Sequence, residues 1–289
     1  MTLFCLGSIN LDHVYEVPHL PAPGETLLAK SHSTGLGGKG ANQSVAAAQA
    51  GARVVHIGAV GPDGAWATSR LKALGVDTTH IAEVTAPTAH AIITVDPKGE
   101  NAITVFPGAN IKQSLTRLKA ALLTAKRGDM LLLQNETNLA LEAATLARSL
   151  GLTVLYSAAP FHAETTKTLL PLTDILILNA VEMKQLSKAT NTAGLPPETI
   201  VVTEGAKGGY ALTSKGKTRF PAFPVTALDT TGAGDTFTGY LAAALHEGQS
   251  LQDALHLAAA ASALKVTKRG TADAIPPRAE VEAFLKAQA

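Results

Sequence analysis

The chain has 289 residues, 46% of them apolar and only 16% charged, which is enough to bury a large core. With 24 basic against 23 acidic residues the formal charge is +1, and no dense basic patch with interleaved aromatics marks a nucleic-acid partner. Cys5 is the single cysteine, so an intrachain disulfide and a thiolate metal cluster are both excluded.

The opening Leu3-Phe4-Cys5-Leu6 reads as a buried strand with Cys5 as a structural thiol. No basic leader with a cleavage site precedes it, and no apolar run reaches spanning length, so the expectation is a cytoplasmic protein with no membrane partner. Asn10 and Asp12 follow this strand, where polar side chains reach a crevice at a strand end. A carboxylate and an amide together suit a vicinal diol, and Asp12 reads equally as a turn former.

Residues 12–33 are extended and punctuated by His and Pro. Gly35-Leu36-Gly37-Gly38-Lys39-Gly40-Ala41-Asn42 then leads into a helix expected over 41–50. It looks superficially like a dinucleotide fingerprint, yet extended polar sequence precedes it and no Gly-Lys-Ser/Thr ending follows. Lys39 and Asn42 lie three positions apart, so both can hydrogen-bond a polyol from one helix edge. They read equally as a solvated lysine and a cap.

A strand over 54–58 and a helix over 65–74 come next. Residues 89–107 break the alternation with a hairpin: strands at 91–95 and 101–106 around the turn Asp96-Pro97-Lys98-Gly99. It predicts either a small sheet that covers a cleft or an antiparallel extension of the main sheet's edge. Beyond it, strands over 130–134, 153–156, 175–178 and 199–203 alternate with helices over 139–150 and 180–186. Helices over 236–246, 251–266 and 279–287 close the chain. This order is that of an α/β fold, and the continuously apolar Leu131-Leu132-Leu133 and Ile175-Leu176-Ile177-Leu178 suit strands buried on both faces.

Asn179 and Glu182 stand just past the strand at 175–178, at a spacing that aims both at a hydrated Mg²⁺ or pairs them as a helix cap. Thr203-Glu204-Gly205 follows the next strand and can border a nucleotide. The most informative run is Asp229-Thr230-Thr231-Gly232-Ala233-Gly234-Asp235-Thr236-Phe237. Its glycines let N–H groups converge at a helix start on a phosphate, with Asp235 beside them to take a proton from an attacking hydroxyl. Read alone, it is also a capped helix after a glycine turn. The nine histidines form no HxxxH pair and Gly-x-Ser-x-Gly is absent, so no transition-metal or hydrolase site is expected.

Asn10-Leu11-Asp12-His13, Pro21-Ala22-Pro23-Gly24-Glu25-Thr26, Gly37-Gly38-Lys39-Gly40-Ala41-Asn42-Gln43, Asn179-Ala180-Val181-Glu182 and the Asp229–Asp235 run together resemble the ribokinase-like (PfkB) carbohydrate kinase family. The resemblance covers nearly the full length. It implies one α/β domain over 1–289, a mostly parallel sheet flanked by helices, with a small β-sheet lid from about 12–35 and 89–107. It also implies ATP-dependent phosphorylation of D-ribose at O5, giving ribose 5-phosphate and ADP. A kinase for another sugar or a nucleoside, and a catalytically silent sugar sensor, are the alternatives.

By position in the motifs, Asn10, Asp12, Gly38, Lys39, Asn42 and Glu136 resemble the family's sugar-binding set. Asp235 looks like the base, and Gly232, Ala233 and Gly234 like the anion hole. Asn179, Thr203 and Gly205, with Gly232 and Gly234, match the nucleotide site, and Glu182 matches the Mg²⁺ motif, acting through water. The family's K⁺ or similar monovalent cation would take oxygens of Asp229, Thr231, Lys265, Lys268 and Gly270, chiefly from the backbone. Ala274 stands where relatives commonly carry a hydroxyl, so one such ligand would be water or absent. Ser157-Ala158-Ala159-Pro160 and Asn135 before Glu136 are further departures. A homodimer through the lid sheets is also implied.

Overall fold

The computed structural model describes residues 1–192 and 194–288. Its architecture follows from strands that are apolar on both faces. In β1 (Thr2–Leu6), Leu3 and Cys5 enter one apolar cluster while Phe4 and Leu6 enter another. Successive side chains of a strand point to opposite faces, so both faces of this sheet need helical cover.

After β1 come β2 (Asn10–Glu16), β3 (Ser31–Gly37), α1 (Lys39–Gln49), β4 (Arg53–Val60), α2 (Ala65–Ala73) and β5 (Asp77–Glu83). The hairpin of β6 (Ala89–Val95) and β7 (Asn101–Phe106) follows, then α3 (Leu115–Leu122), β8 (Met130–Leu133), α4 (Ala140–Leu150) and β9 (Thr153–Ser157). The alternation continues with α5 (Ala163–Leu169), β10 (Ile175–Asn179), α6 (Ala180–Ala189) and β11 (Thr199–Thr203). Two short strands, β12 (Gly209–Thr213) and β13 (Gly216–Phe220), precede α7 (Ala233–His246), α8 (Leu251–Val266) and α9 (Arg278–Gln288).

The main sheet has the order β13-β12-β11-β10-β9-β8-β1-β4-β5. Its strands run parallel from β11 to β5, and β12 and β13 add an antiparallel edge. One face packs Val45 of α1, Tyr240 of α7, Leu255 of α8 and Val281 of α9. The other packs Leu118 of α3, Ala144 of α4, Leu169 of α5 and Leu186 of α6. The expected α/β sheet with helical cover is what forms. Among the described residues no helix is long and apolar enough to cross a membrane.

A second, four-stranded sheet has the order β3-β2-β6-β7. β2 pairs antiparallel with β3 and parallel with β6, and β6 pairs antiparallel with β7. The 89–107 hairpin therefore belongs to a separate sheet and does not extend the edge of the main one. Asn10 and Asp12 open β2, so the chain carries them from the end of β1 directly into this smaller sheet.

Glycine fixes how closely these parts approach. A Cβ on Gly40 would lie 2.3 Å from Gly7 Cα, so the first turn of α1 packs backbone to backbone on the β1–β2 connection. The sequence does not announce β5, α3, α5, β12 and β13; β12 and β13 span five residues each, and four of the five in β13 face solvent, which leaves little apolar pattern to read. α7 begins three residues earlier than the periodicity predicted. Gly232, with φ 74°, turns the chain into the helix, and Asp235 consequently sits inside its first turn.

Candidate active site

The loop before α7 is tied down by Asp229. Its Oδ1 accepts from Thr231 N (2.9 Å) and its Oδ2 from Gly270 N (2.9 Å), which joins the turn to the segment after α8. Burial pushes this carboxyl up, but the amide bonds and Lys265 outweigh burial and hold it below the usual range. Ala233 N–H donates to Thr230 O (3.2 Å), so one of the three expected anion-hole amides is already engaged. Gly234 has nothing of this chain within 4 Å of where its Cβ would be. Its lack of a side chain is therefore not required by packing, and it leaves room beside the positive end of the helix.

Asp235 is 9% exposed. Asn42 Nδ2 donates to its Oδ2 and Gln43 Nε2 to its Oδ1, both at 3.0 Å. Gln134 Nε2 in turn donates to Gln43 Oε1 at 2.8 Å. One amide per carboxylate oxygen fixes the rotamer and leaves acceptor capacity on each oxygen for a substrate hydroxyl. Asn42 Oδ1 is buried without a partner, aimed from the same side chain that holds Asp235. An orphaned buried acceptor is costly unless a ligand donor meets it.

The second sheet supplies the neighbouring polar groups. Asp12 lies over Gly37, where a Cβ would stand 2.0 Å from Asp12 Oδ2. Burial pushes the Asp12 carboxyl up to about 7, with Glu136 and Asp235 adding to the effect and Lys39 opposing it. Asn10 Oδ1 accepts from Asn110 Nδ2 (2.8 Å), and Asn110 Oδ1 accepts from Ile9 N (2.9 Å). Glu136 Oε2 accepts from Lys39 N (3.0 Å) and from the Ser8 hydroxyl, whose oxygen accepts from Gly40 N (3.2 Å). Gly38, with φ 92°, makes the turn into α1 above Ser8. The Lys39 ammonium is held up chiefly by Asp235, against burial, with Glu136, Glu182 and Asp12 adding. One cation thus faces four carboxylates, from β2, α6, α7 and the β8–α4 connection.

Beside Asp235 opens a cavity of about 230 Å³, lined by Lys39, Ser157, Ala159, Ile177, Leu178, Asn179, Glu182, Thr203, Gly232, Gly234 and Thr238 as well. It lies at the carboxyl ends of β9, β10 and β11, the usual ligand position of an open parallel sheet. Asn179 and Glu182 form a reciprocal capping box: Glu182 N donates to Asn179 Oδ1 (2.9 Å) and Asn179 N to Glu182 Oε2 (2.8 Å). The capping reading of the pair is therefore correct, and Glu182 also lines the cavity. Burial raises the Glu182 carboxyl, opposed by the Asn179 amide and Lys39. Gly205 falls in the turn after β11, with φ 59°, and is not among the residues lining the cavity.

Among the described residues no three His, Cys, Asp or Glu side chains converge on one point. A divalent ion caged by protein does not fit this site. A hydrated Mg²⁺, held by nucleotide phosphates and touching Glu182 through water, does. The monovalent cation fits less well. Lys265 is fully buried, and its Nζ donates to the main-chain oxygen of Asp229 (3.0 Å), one of the ligands expected for K⁺. Burial lowers the Lys265 ammonium, while Asp229 and Asp235 pull it back up. Ala274 is buried and brings no hydroxyl, and Lys268 spends its ammonium on both oxygens of Glu280 (2.8 Å each). The donor set expected for K⁺ already contains a positive charge of the chain's own.

Several residues at the site carried no role in the sequence reading. Gln43, Gln134, Asn110 and Ser8 all hold the expected side chains in place; Gln43 adjoins Asn42, but only the fold shows that both face Asp235. The unusual Asn135 also acquires a reason. Its Oδ1 accepts from Tyr156 OH (2.7 Å) and its Nδ2 donates to Pro160 O (3.0 Å), which pins the 157–160 segment beside the cavity.

The profile of pfkB family carbohydrate kinases matches residues 2–278. The chain is 40% identical to a ribokinase of Haemophilus influenzae, over 99% of this chain and 98% of that protein. It is 36% identical to a ribokinase of Bacillus subtilis, over 97% of this chain and 98% of that protein. The structure superposes on Arabidopsis thaliana ribokinase complexed with ribose and ATP with a TM-score of 0.86, at 30% identity, covering 99% of this chain and 98% of that one.

Proposed function

The chain belongs to the pfkB family of carbohydrate kinases, and from that premise we propose that it transfers the γ-phosphoryl group of ATP to O5 of D-ribose. The products are ribose 5-phosphate and ADP. One observation carries the reading: a buried carboxylate, Asp235, is oriented by two amides inside the first turn of a helix whose start borders the cavity.

Asp12, Asn10, Asn42, Lys39 and Glu136, with the Gly38 backbone, bind the sugar hydroxyls and present O5 to Asp235. Asp235 accepts the O5 proton as the new O–P bond forms and the bond to ADP breaks. The amides of Gly232 and Gly234 and the helix dipole stabilise charge on the transferring group, and Lys39 adds a fixed cation beside it. Asn179 and Thr203 border the nucleotide in the cavity, and Gly205 meets it only where the nucleotide extends past the cavity rim. Mg²⁺, bound through water at Glu182, would neutralise phosphate charge. The smaller sheet acts as a lid that excludes water from the site, and two copies pair through their lids. We take the reaction to run in the cytoplasm, where ATP is abundant.

The test is ADP formation from ATP·Mg²⁺ over ribose, deoxyribose, fructose and nucleosides. Ribose should give the highest kcat/KM, and preference for another acceptor would move the error to the sugar pocket alone. Asp235→Asn should lower kcat by about 10²–10⁴-fold, the range for losing a general base. An Asp235→Asn enzyme with wild-type kcat would falsify the base role.

A further inference from the structure

Lys265 is among the largest fully buried side chains of the protein, at 0% exposure, in a helix whose preceding residues are mostly alanine. A buried ammonium is strongly unfavourable unless pairing or function offsets it. Here Nζ donates to a main-chain carbonyl, Asp229 O, not to a carboxylate. That carbonyl opens the turn that ends in Gly232 and Asp235. One helical turn earlier, Ser262 Oγ donates to Ala233 O (3.0 Å). Two side chains at i and i+3 of α8 therefore support the turn from beneath, one of them with a full positive charge.

We propose that the Lys265 ammonium is a fixed internal cation under the anion-binding turn, standing in for an exchangeable monovalent ion, so that this enzyme works without K⁺. The inference rests on the kinase reading above. A bound K⁺ would need several converging oxygens. Asp229 O is taken by Nζ, the Asp229 carboxylate accepts from the amides of Thr231 and Gly270, and Ala274 offers a methyl group. A second cation at the same carbonyl would also lie against the ammonium, and like charges at such a separation repel strongly in a poorly solvated site. A tethered charge is present at any salt concentration and aids the turn's stabilisation of charge on the transferring phosphoryl group.

The test compares wild type and Lys265→Ala in choline chloride and in KCl at equal ionic strength, with ATP supplied free of K⁺, Na⁺ and NH₄⁺. Wild-type kcat should differ by less than ~2-fold between the salts. Lys265→Ala should lose at least ~10-fold in choline chloride, as for removal of one stabilising charge, and regain part of it in KCl or NH₄Cl. A wild-type rate that rises ~10-fold or more with K⁺, or a Lys265→Ala variant as active as wild type in choline chloride, overturns the proposal.

A binding readout stands apart from turnover. The melting temperature of the wild-type ADP·Mg²⁺ complex should agree within about 1 °C between the two salts, because an ion that does not bind cannot stabilise. A larger rise specific to K⁺ overturns the proposal even if Lys265→Ala fails to fold. If no acceptor is phosphorylated in either salt, the kinase reading is what fails, and the melting comparison still judges Lys265.

Discussion

An Asp12 carboxyl raised to about 7 by burial, Glu136 and Asp235 affects binding and stability in opposite directions. Asp12 must be ionised to accept two sugar hydroxyls, so the sugar KM should climb as pH falls below about 7 while the KM for ATP changes less. Stability runs the other way. The folded-state pKa lies above the ordinary value, so folding takes up a proton between about 4 and 7. The contribution is full below about 4 and is lost as pH rises through about 7. Asp12→Asn should therefore gain roughly 1–3 kcal/mol of unfolding free energy at pH 8 and little at pH 5, yet bind sugar far more weakly. Urea titrations at both pH values, set beside the sugar KM, check the pair of signs. Gly234 separates fold from function in a similar way. Its Cβ position is open, so Gly234→Ala should leave stability unchanged or raise it by up to about 1 kcal/mol, the helix propensity gain. The same methyl group would stand where the phosphate approaches, so kcat/KM for ATP should fall at least ~10-fold. A variant that melts higher and keeps full kcat/KM would show that the phosphate does not approach that turn.

At the level of helices and strands, the sequence was readable wherever burial on both faces left long apolar runs. β8 and β10 are of this kind, and their boundaries were predicted to within a residue. The hairpin of β6 and β7 was also legible, because its Asp96–Gly99 turn has a local chemistry: Asp96 Oδ1 accepts from Lys98 N and Glu100 N, and Gly99 has φ 83°. What could not be read was which sheet the hairpin joined, since β2 and β6 pair parallel across almost 80 residues of chain. The start of α7 is hard to read because propensity disfavours Gly234 in a first turn that already follows a glycine, and only the left-handed Gly232 shows that the helix begins there. Helix α1 tests how far close approach sets the site. Unlike Gly234, Gly40 has backbone atoms where its Cβ would be, 2.3 Å from Gly7 Cα and 2.4 Å from Ser8 N. Gly40→Ala should destabilise by about 1–3 kcal/mol, and by pushing α1 away it should also release Asn42 and Gln43 from Asp235. Thermal melting and kcat should fall together. A loss of stability with kcat intact would mean that α1 does not position Asp235.

Across the whole molecule the site draws on residues from Ser8 to Asp235, so its assembly belongs to the topology and not to any one motif. Local spacing leaves Asp12, Lys39 and Asn179 open between a binding role and an ordinary structural one; resemblance to a family favours the binding role, and the fold brings Lys39 and Asn179 to one cavity at the end of the main sheet. The smaller sheet carries the same logic outward. β7 is an edge strand exposed along its length, with Ile103 and Val105 each 50% exposed. In register, Ile103 opposes Ile93 and Val105 opposes Ala91, and Ala91 is also the partner of Asp12. Cross-strand partners share a face, so the apolar outer end of this sheet continues the face that bears Asp12. Exposed edges with apolar side chains favour pairing with another chain. If two copies pair there, each lid stiffens the other's sugar-binding face, and dimerisation and sugar affinity are linked. Sedimentation equilibrium should then give twice the chain mass. The double variant Ile103→Lys with Val105→Lys should sediment as a monomer, with a raised KM for sugar and an unchanged KM for ATP, because the nucleotide cavity lies on the main sheet. A wild-type monomer at assay concentration would remove the pairing and leave the chemistry at Asp235 untouched. A monomeric double variant with an unaltered sugar KM would keep the pairing and sever its link to sugar binding.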